Sequence, residues 1–447
     1  MNQSRRDFLK TSSLAGLPMI LGVPLLRGES YAHRLALSPS MVQFVTGTNR
    51  RQNMINVLTP LSNAINAAIQ NKNIIVKPNC VLSGVPLCAT HADALRGVLD
   101  FLRTITDKPI IIAESSASND TLKCFSEYGY SALTTEYSGV SFQDLNSSAT
   151  QSLGGIVDRD GTGGSINLIS QFANPHNFII SVCRLKTHNT VVATATVKNI
   201  LMASPALASK VVMHGGDYST AGAQTLTKNL FFLANTVLPD LAVVDGAENM
   251  EGCGPIGMIA DKCAALPVTQ NLALAGFDPI AVDRVGIHLM GVNPNYTQYL
   301  KWCGDAQLGN YDMSNIVVNG PGLAPYVKTF RLHDNISGQI AWISPASARG
   351  EPRNTCAFMK VSEIASIPGR GARITVSIPR SNEVNLAVHN AKGGRICSLA
   401  HEWLQSGRYE FTWEGRDGYG NLLSNGIYAI VLRIEDASMY RLTRIVR

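Results

Sequence analysis

The residues best suited to chemistry in this sequence come directly after short apolar runs. Lys77 ends the run NIIVK, and Lys186 comes shortly after the run FIISV. An ammonium group is a mobile point charge that can bind phosphate or carboxylate. The sequence therefore predicts a binding site for a small anionic ligand or substrate, formed by Lys77, Asn79, Glu114, Lys186, Lys198 and Asn199.

Histidines and carboxylates accompany these lysines and allow two kinds of chemistry. They could act as general acid and base on a bound carboxylate substrate, for which the candidates are His188, His214, Asp245 and Glu248. Nitrogen and oxygen ligands could equally hold a divalent metal, for which the candidates are His214, Asp245, Asp278 and Asp283. The sequence leaves the cofactor open beyond a possible divalent metal.

Several of these residues have a purely structural alternative. Lys77 could form an ion pair with Glu114 across two strand ends, and His188 could bind backbone groups rather than a ligand. Asp278 precedes Pro279, which is the arrangement of a helix N-cap. Asp283 lies one helical turn further on and is harder to explain in this way.

The elements that must position these residues follow an α/β pattern between about residues 40 and 325. Short apolar, β-branched runs are typical of buried parallel strands, and a segment with helical spacing, residues 92–105, separates two of them. We predict a layered domain with a mostly parallel sheet, in which ligands bind beyond the carboxyl ends of the strands. The predicted strands are residues 73–77, 109–113, 178–182 and 241–244, with 272–275 as a weaker candidate.

The composition changes after residue 320. Residues 331–365 have weak periodicity and are predicted to be a linker. Alternating β-rich segments punctuated by Gly-Gly, Asp-Gly and Asn-Gly turns then predict an all-β immunoglobulin-like sandwich. A tryptophan-glycine turn (residues 413–415) followed by Gly426-Ile427-Tyr428 resembles the FlgD-like immunoglobulin-like module over residues 370–447. In proteins that carry it, this module is a spacer or sorting element.

The first 32 residues predict export. Ser4-Arg5-Arg6-Asp7-Phe8-Leu9-Lys10 precedes a modest apolar run and resembles a twin-arginine signal peptide. This resemblance implies the twin-arginine translocase as a partner and a periplasmic or cell-surface location. No transmembrane span is expected in the mature chain, because the only long apolar stretch lies in this signal.

Charge and cysteine usage exclude several classes of protein. The net charge of +6 is spread over 447 residues without a concentrated basic segment, so nucleic acid is not expected as a partner. The nine cysteines never form a C-x-x-C pair, which disfavours a zinc ribbon and an iron–sulfur cluster. One or two disulfides remain possible in an oxidising compartment.

The α/β segment contains a series of spaced motifs, which include Val76-Lys77-Pro78-Asn79, Leu185-Lys186-Thr187-His188, Val197-Lys198-Asn199, Val244-Asp245-Gly246, Glu251-Gly252-x-Gly254-Pro255 and Asp278-Pro279-x-Ala281-Val282-Asp283. Over about residues 40–325 these motifs resemble a known family, called domain of unknown function 362. The resemblance names a fold group rather than a reaction, and this chain lacks the ferredoxin-type domain that some relatives carry.

Two functions are compatible with these features. The first is an exported enzyme that acts on a small anionic substrate by acid–base or metal-assisted chemistry, and it predicts that Lys186, His188, His214 and Asp245 share one cleft. The alternative is a non-catalytic ligand-binding protein of the cell envelope with a C-terminal sorting or spacer module.

Overall fold

The structure is a computed structural model, and its described part divides into two compact units. One unit lies within residues 39–343 and the other within residues 358–445. The signal-peptide prediction for residues 1–32 falls outside the described part. The described residues are 39–157, 163–215, 220–257, 264–340, 343, 358–363, 371–378, 382–390, 394–405, 407–424, 426–434 and 437–445.

The first unit alternates strands and helices. Its strands are β1 (Ser40–Thr46), β2 (Asn73–Lys77), β3 (Ile110–Glu114), β4 (Val140–Asp144), β5 (Thr150–Val157), β6 (Gly163–Ile169), β7 (Asn177–Cys183), β8 (Lys186–His188), β9 (Val192–Thr194), β10 (Leu241–Gly252), β11 (Ala265–Gly276) and β12 (Ile316–Asn319). Its helices are α1 (Arg50–Leu58), α2 (Ser62–Ile69), α3 (Ala92–Ile105), α4 (Thr121–Glu127), α5 (Leu133–Glu136), α6 (Ser170–Ala173), α7 (Thr196–Leu201), α8 (Leu207–Met213), α9 (Thr220–Ala234), α10 (Pro279–Leu289), α11 (Gln298–Asp305) and α12 (Ile336–Ile340).

A ten-stranded sheet organises this unit, with the central order β12-β1-β11-β10-β7-β2-β3-β4. Strands β10, β7, β2, β3 and β4 run parallel to one another, whereas β11 is antiparallel to both of its neighbours. The predicted mostly parallel sheet is therefore confirmed. The short strand β8 extends the sheet by pairing with the far end of β10 and with β9.

Apolar side chains fill both faces of the sheet. Ile75 and Ile179 belong to one hydrophobic cluster, and their chain neighbours Ile74 and Ile180 belong to another. Successive residues of a strand point to opposite faces, so a run without polar residues is required when both faces are covered by helices. This requirement explains the continuous apolar runs of β2, β3 and β7. No helix among the described residues is long and apolar enough to cross a membrane.

The second unit is entirely β. A three-stranded sheet has the order β13-β14-β17, and a four-stranded sheet has the order β16-β15-β18-β19. Trp413 packs edge-on against Tyr428 in the core, and its indole N–H donates to the carbonyl of Arg416 at 2.9 Å. The predicted immunoglobulin-like sandwich is confirmed. The strands are β13 (Phe358–Glu363), β14 (Ala372–Ile378), β15 (Asn382–His389), β16 (Arg395–Leu404), β17 (Gly407–Trp413), β18 (Gly426–Ile434) and β19 (Ala437–Ile445).

The segment predicted as a linker contains two regular elements. Helix α12 lies within residues 331–365, and the side-chain amide of its Gln339 donates to the carbonyl of Asn189. Strand β13 lies there as well and pairs with β14 over its whole length. The periodicity of this segment is weak because its regular elements depend on contacts with residues distant in sequence.

Candidate functional site

A cavity of about 260 Å³ opens beyond the carboxyl ends of β2 and β3. Strand β8 and helices α7 and α8 complete its wall. Because the last residues of adjacent parallel strands meet at one edge of the sheet, side chains distant in sequence converge there. All six residues predicted to bind an anion line this cavity, together with His188 and His214. The lining basic groups are Lys77, Lys186, Lys198, Lys210, His188 and His214.

Lys77 and Glu114 form a buried ion pair at the base of the cavity. The Lys77 Nζ lies 2.8 Å from a carboxylate oxygen of Glu114, and it also donates to the carbonyl of Pro78 and the side chain of Asn199, each at 2.7 Å. Glu114 accepts two further bonds from the backbone amides of Cys80 and Ser115. Both groups have their full set of partners, so this pair is part of the wall, as the structural alternative for Lys77 proposed.

Two asparagines join the lysines of different elements. The Asn79 amide donates to the side-chain oxygen of Asn199 at 2.8 Å, and the Asn79 oxygen accepts from Lys186. Lys186 also donates to the carbonyl of Cys88 at 2.7 Å. Burial lowers the pKa of Lys186. The network holds β2, β8 and α7 at fixed separations around the cavity.

Lys210 is a cavity lysine that sequence reasoning missed. Its Nζ donates to the carbonyl and hydroxyl oxygens of Ser115 at 2.9 and 3.0 Å and to the carbonyl of Met202 at 2.8 Å. Burial lowers its pKa to about 7. Lys210 lies four residues before His214, and this spacing places both side chains on one face of a helix. The spacing was the sequence signal that could have indicated Lys210.

Lys198 differs from the other three lysines. It is only 5% exposed and lines the cavity, yet no described residue accepts a hydrogen bond from its Nζ. Burial, reinforced by the positive charges of Lys186 and Lys210, lowers its pKa to about 7. No described carboxylate offsets these effects. Lys198 therefore presents an unpaired amine to the cavity.

The two cavity histidines are neutral and differ in tautomer. Nδ1 of His188 accepts from the backbone amides of Thr190 and Val191 at 2.9 and 3.3 Å, so its proton is on Nε2. Nδ1 of His214 lies 2.8 Å from the carbonyl of Lys210, which can only accept, so its proton is on Nδ1. Burial holds the pKa of His188 well below its usual range and lowers that of His214 to about 4. His188 thus offers an N–H donor, and His214 is held in the tautomer that carries its proton on Nδ1.

An unsatisfied hydroxyl also lies in the wall. Oγ1 of Thr194 is buried and has no hydrogen-bond partner among the described residues. Most buried polar side-chain atoms have a partner, so an orphan at a cavity wall points to a group that binds there. Thr194 ends β9, two residues before the helix that carries Lys198.

Asp283 fixes the position of that helix, α7. Ala195 at its N-cap has no side-chain acceptor, and the carboxylate of Asp283 from α10 takes this role. It accepts from the amide and hydroxyl of Thr196 at 2.8 and 2.5 Å and from the amide of Val197 at 2.9 Å. Burial raises the pKa of Asp283 to about 7. Asp283 therefore acts on the cavity through Lys198 and Asn199, which it positions.

Asp245 and Glu248 do not line the cavity, contrary to the prediction that Asp245 shares it. Strand β10 does not stop at Val244 but continues to Gly252 by pairing with β11. The strand alternation turns Asp245 toward α1, where Arg50 Nε lies 3.1 Å from its carboxylate. Glu248 instead pairs with Arg184 at 3.1 Å.

The four predicted metal ligands are likewise separated. Asp278 caps α10 by accepting from the amides of Ile280 and Ala281, the structural alternative given above. Asp283 caps α7, Asp245 faces Arg50, and His214 alone of the four lines the cavity. Among the described residues no group of three or more His, Cys, Asp or Glu side chains is placed to hold a metal ion. The proposed metal set is thus not assembled.

The loop after β10 forms another side of the cavity through Pro255 and Ile256. A Cβ on Gly254 would lie 1.9 Å from the carbonyl oxygen of Thr187, so only glycine permits this close approach to β8. Cys253, the preceding residue, is disulfide-bonded. The close packing of Gly254 against Thr187 therefore holds the loop beside the cavity.

The α/β unit is similar to known proteins. Residues 74–288 match the family model described as Domain of unknown function (DUF362), and every residue that lines the cavity lies within this range. The chain contains a DUF362 domain. The chain is similar to thylakoid-associated protein sll1697 from Synechocystis sp., at 24% identity over 280 residues, which are 62% of this chain and 76% of that protein.

The C-terminal unit has its own relatives. Residues 366–438 match the model of the FlgD Ig-like domain. Solved structures that align with the chain include FlgD from P. aeruginosa, with 22% identity, 16% of this chain and 59% of that chain covered and a TM-score of 0.14. FlgD from Xanthomonas campestris aligns with 25% identity, 17% and 58% coverage and a TM-score of 0.15. Each alignment spans less than two thirds of the FlgD chain.

Proposed function

We propose that the DUF362 domain binds a small oxyanion, such as a phosphate or carboxylate group, in the lysine-lined cavity. The observation that carries this proposal is the buried amine of Lys198, which has no acceptor among the described residues and faces a 260 Å³ cavity. A bound anion supplies the negative charge that no described residue places next to the Lys198 amine. The Nε2–H of His188 and the orphan hydroxyl of Thr194 provide further contacts.

The surrounding charges favour an anion over a neutral ligand. Lys77 is neutralised by Glu114, but Lys186 and Lys210 donate only to uncharged oxygens. Buried charges that lack a counter-ion interact strongly with an incoming opposite charge, because the surrounding dielectric constant is low. We infer that the ligand completes the electrostatics of the cavity rather than only filling it.

Acid–base chemistry on the bound anion is the second step of the proposal. A group with a pKa close to the working pH is the most effective proton carrier, and Lys198 has a pKa of about 7. His214 lines the same cavity as a second titratable group, with a pKa lowered to about 4 by burial. A non-catalytic envelope ligand-binding protein is the alternative, and it requires that bound ligand leave the cavity unchanged.

Binding is testable by calorimetry with inorganic phosphate. We expect Lys198→Met to abolish the heat of binding, whereas Lys123→Met, which removes an exposed lysine, leaves it unchanged. If Lys198→Met binds phosphate as well as Lys123→Met does, the proposal is contradicted. Because an anion stabilises the ammonium form, binding takes up a proton, and affinity should fall as pH rises above about 7. The charged and titratable groups that face Lys198 in this window are Lys77, Glu114, Lys186, Lys210, His188 and His214.

We also propose that the chain is exported by the twin-arginine route to the periplasm or cell surface. The disulfide at Cys253 supports this location, because structural disulfides persist mainly in oxidising compartments. The six free cysteines among the described residues are mostly buried. Fractionation of cells that express the full chain or its Arg5→Lys/Arg6→Lys variant tests the proposal. Equal export of both forms would contradict it.

A further inference from the structure

We propose that Lys198 is a nucleophilic amine that forms a Schiff base with a small 2-oxo acid bound in the cavity. This inference rests on the proposed function, because the carboxylate of the oxo acid is the anion that the cavity holds. It narrows the ligand class from any oxyanion to acids that carry an adjacent carbonyl group. It also gives the cavity a covalent step that anion binding alone does not include.

The placement of the four lysines singles out Lys198. The Nζ of Lys77 and that of Lys210 each donate to three acceptors, and a fully donating ammonium has no electron pair to offer. Lys186 is held by Asn79 and by the carbonyl of Cys88. Among the described lysines of the cavity, only Lys198 makes no hydrogen bond to the protein through its amine, so its electron pair is free to turn toward a ligand.

Its surroundings favour the neutral amine. Lys198 lies on α7, where the wall is made by apolar groups such as Met202 and Ala203 as well as by the basic residues. A lysine that is desolvated and placed next to other cationic groups is an activated nucleophile. The lowered pKa of about 7 makes the neutral amine of Lys198 accessible near neutral pH.

The cavity also offers what the electrophile needs. A cavity of about 150 Å³ accommodates a benzene ring, so 260 Å³ leaves room for a three- or four-carbon oxo acid. The Nε2–H of His188 can donate to an oxygen of the substrate, since its Nδ1 is occupied by backbone amides. The ammonium of Lys186 donates two of its hydrogens to Asn79 and to the carbonyl of Cys88. Its third hydrogen can therefore be donated to the carboxylate of the substrate.

The step is balanced without any further reactant. The electron pair of Lys198 Nζ forms a bond to the carbonyl carbon, the C–O π pair moves to oxygen, and a proton passes from nitrogen to that oxygen. The carbinolamine then loses its hydroxyl group and the second nitrogen proton as water, which leaves a C=N bond. Amine and carbonyl are thereby converted to imine and water, with no oxidation or reduction.

Borohydride trapping on the full chain tests this inference. The protein is incubated at about pH 7 with pyruvate and sodium cyanoborohydride, and the modified lysines are located by peptide mass spectrometry. We expect the N-(1-carboxyethyl) adduct on Lys198 at least tenfold above that on the exposed Lys123, with inorganic phosphate or lactate suppressing it. Lys198→Arg keeps the charge and should bind lactate without forming an adduct.

The outcomes separate the two proposals. If lactate and pyruvate bind, as measured by calorimetry, but Lys198 is trapped no more than Lys123, the Schiff base is refuted and the anion cavity stands. If pyruvate, lactate and phosphate all fail to bind the unmodified chain, the proposed function is refuted together with this inference. Trapping confined to Lys198 and suppressed by lactate supports both.

Discussion

Replacing Lys198 by methionine should stabilise the unliganded protein while abolishing anion binding. Methionine is unbranched like lysine and one atom shorter, and it removes a charge that is buried without a partner among the described residues. The pKa falls from 10.5 to about 7 on folding, and each pKa unit corresponds to about 1.4 kcal/mol. The ammonium of Lys198 therefore costs the folded state up to about 5 kcal/mol.

The pH dependence gives this prediction its sign. Below pH 7 both the folded and the unfolded chain carry the proton, and the cost is fully present. Between pH 7 and 10.5 only the unfolded chain keeps it, so the stability of the parent protein rises with pH relative to the variant. The advantage of Lys198→Met should thus be largest near pH 6 to 7 and vanish near pH 10.5.

Lys210→Met is the matched control. Lys210 has the same pKa of about 7, but its removal leaves three oxygens of Ser115 and Met202 without a donor. At about 1 kcal/mol for each hydrogen bond, this variant should gain about 3 kcal/mol less than Lys198→Met. Denaturant unfolding followed by hydrogen exchange of the β2 and β7 peptides reports the α/β unit separately. The reasoning would be refuted if Lys198→Met were less stable than its parent at pH 7. It would also be refuted if the difference in free energy of unfolding between the two proteins were the same at every pH.

Three further substitutions probe the rest of the site. Glu114→Gln leaves a buried ammonium without its counter-ion and should destabilise the domain by about 3 to 5 kcal/mol in denaturant unfolding, whereas Glu136→Gln at an exposed ion pair should cost less than about 1 kcal/mol. Asp283→Asn cannot accept all three hydrogen bonds from the start of α7. Phosphate affinity, measured by calorimetry, should therefore fall about tenfold although every lysine remains. Unchanged affinity would show that α7 does not need Asp283 to hold its position. Asp245→Asn weakens the contact with Arg50 outside the cavity and should lower the melting temperature while phosphate affinity stays unchanged, and a loss of affinity would contradict its assigned place.

The strand ends were the part of the site that sequence could predict. Lys77, Glu114 and Lys186 follow apolar runs, and all three line one cavity because parallel strands end at a common edge. The boundaries of β2 and α3 also match their patterns, since local spacing is enough to define a buried strand and an amphipathic helix. To predict this part of the site, it was enough to know that these strands run in the same direction.

The errors arose where long-range pairing decides the outcome. Asp245 was placed in the cavity because the apolar run stops at Val244, but pairing with β11 extends the strand and its alternation sends the carboxylate to the other face. The capping of α7 by Asp283 joins residues 87 positions apart and has no local signal. Lys210 was missed because one lysine in a short helical segment resembles any surface lysine until the fold buries it.

The shape of the cavity depends on the absence of a side chain at Gly254. A Cβ at this position would lie 1.9 Å from the carbonyl oxygen of Thr187, so the loop would have to move away from β8 to admit one. Pro255 and Ile256 follow directly and form one side of the cavity. Any side chain at position 254 would therefore change the width of the cavity although every basic group keeps its position.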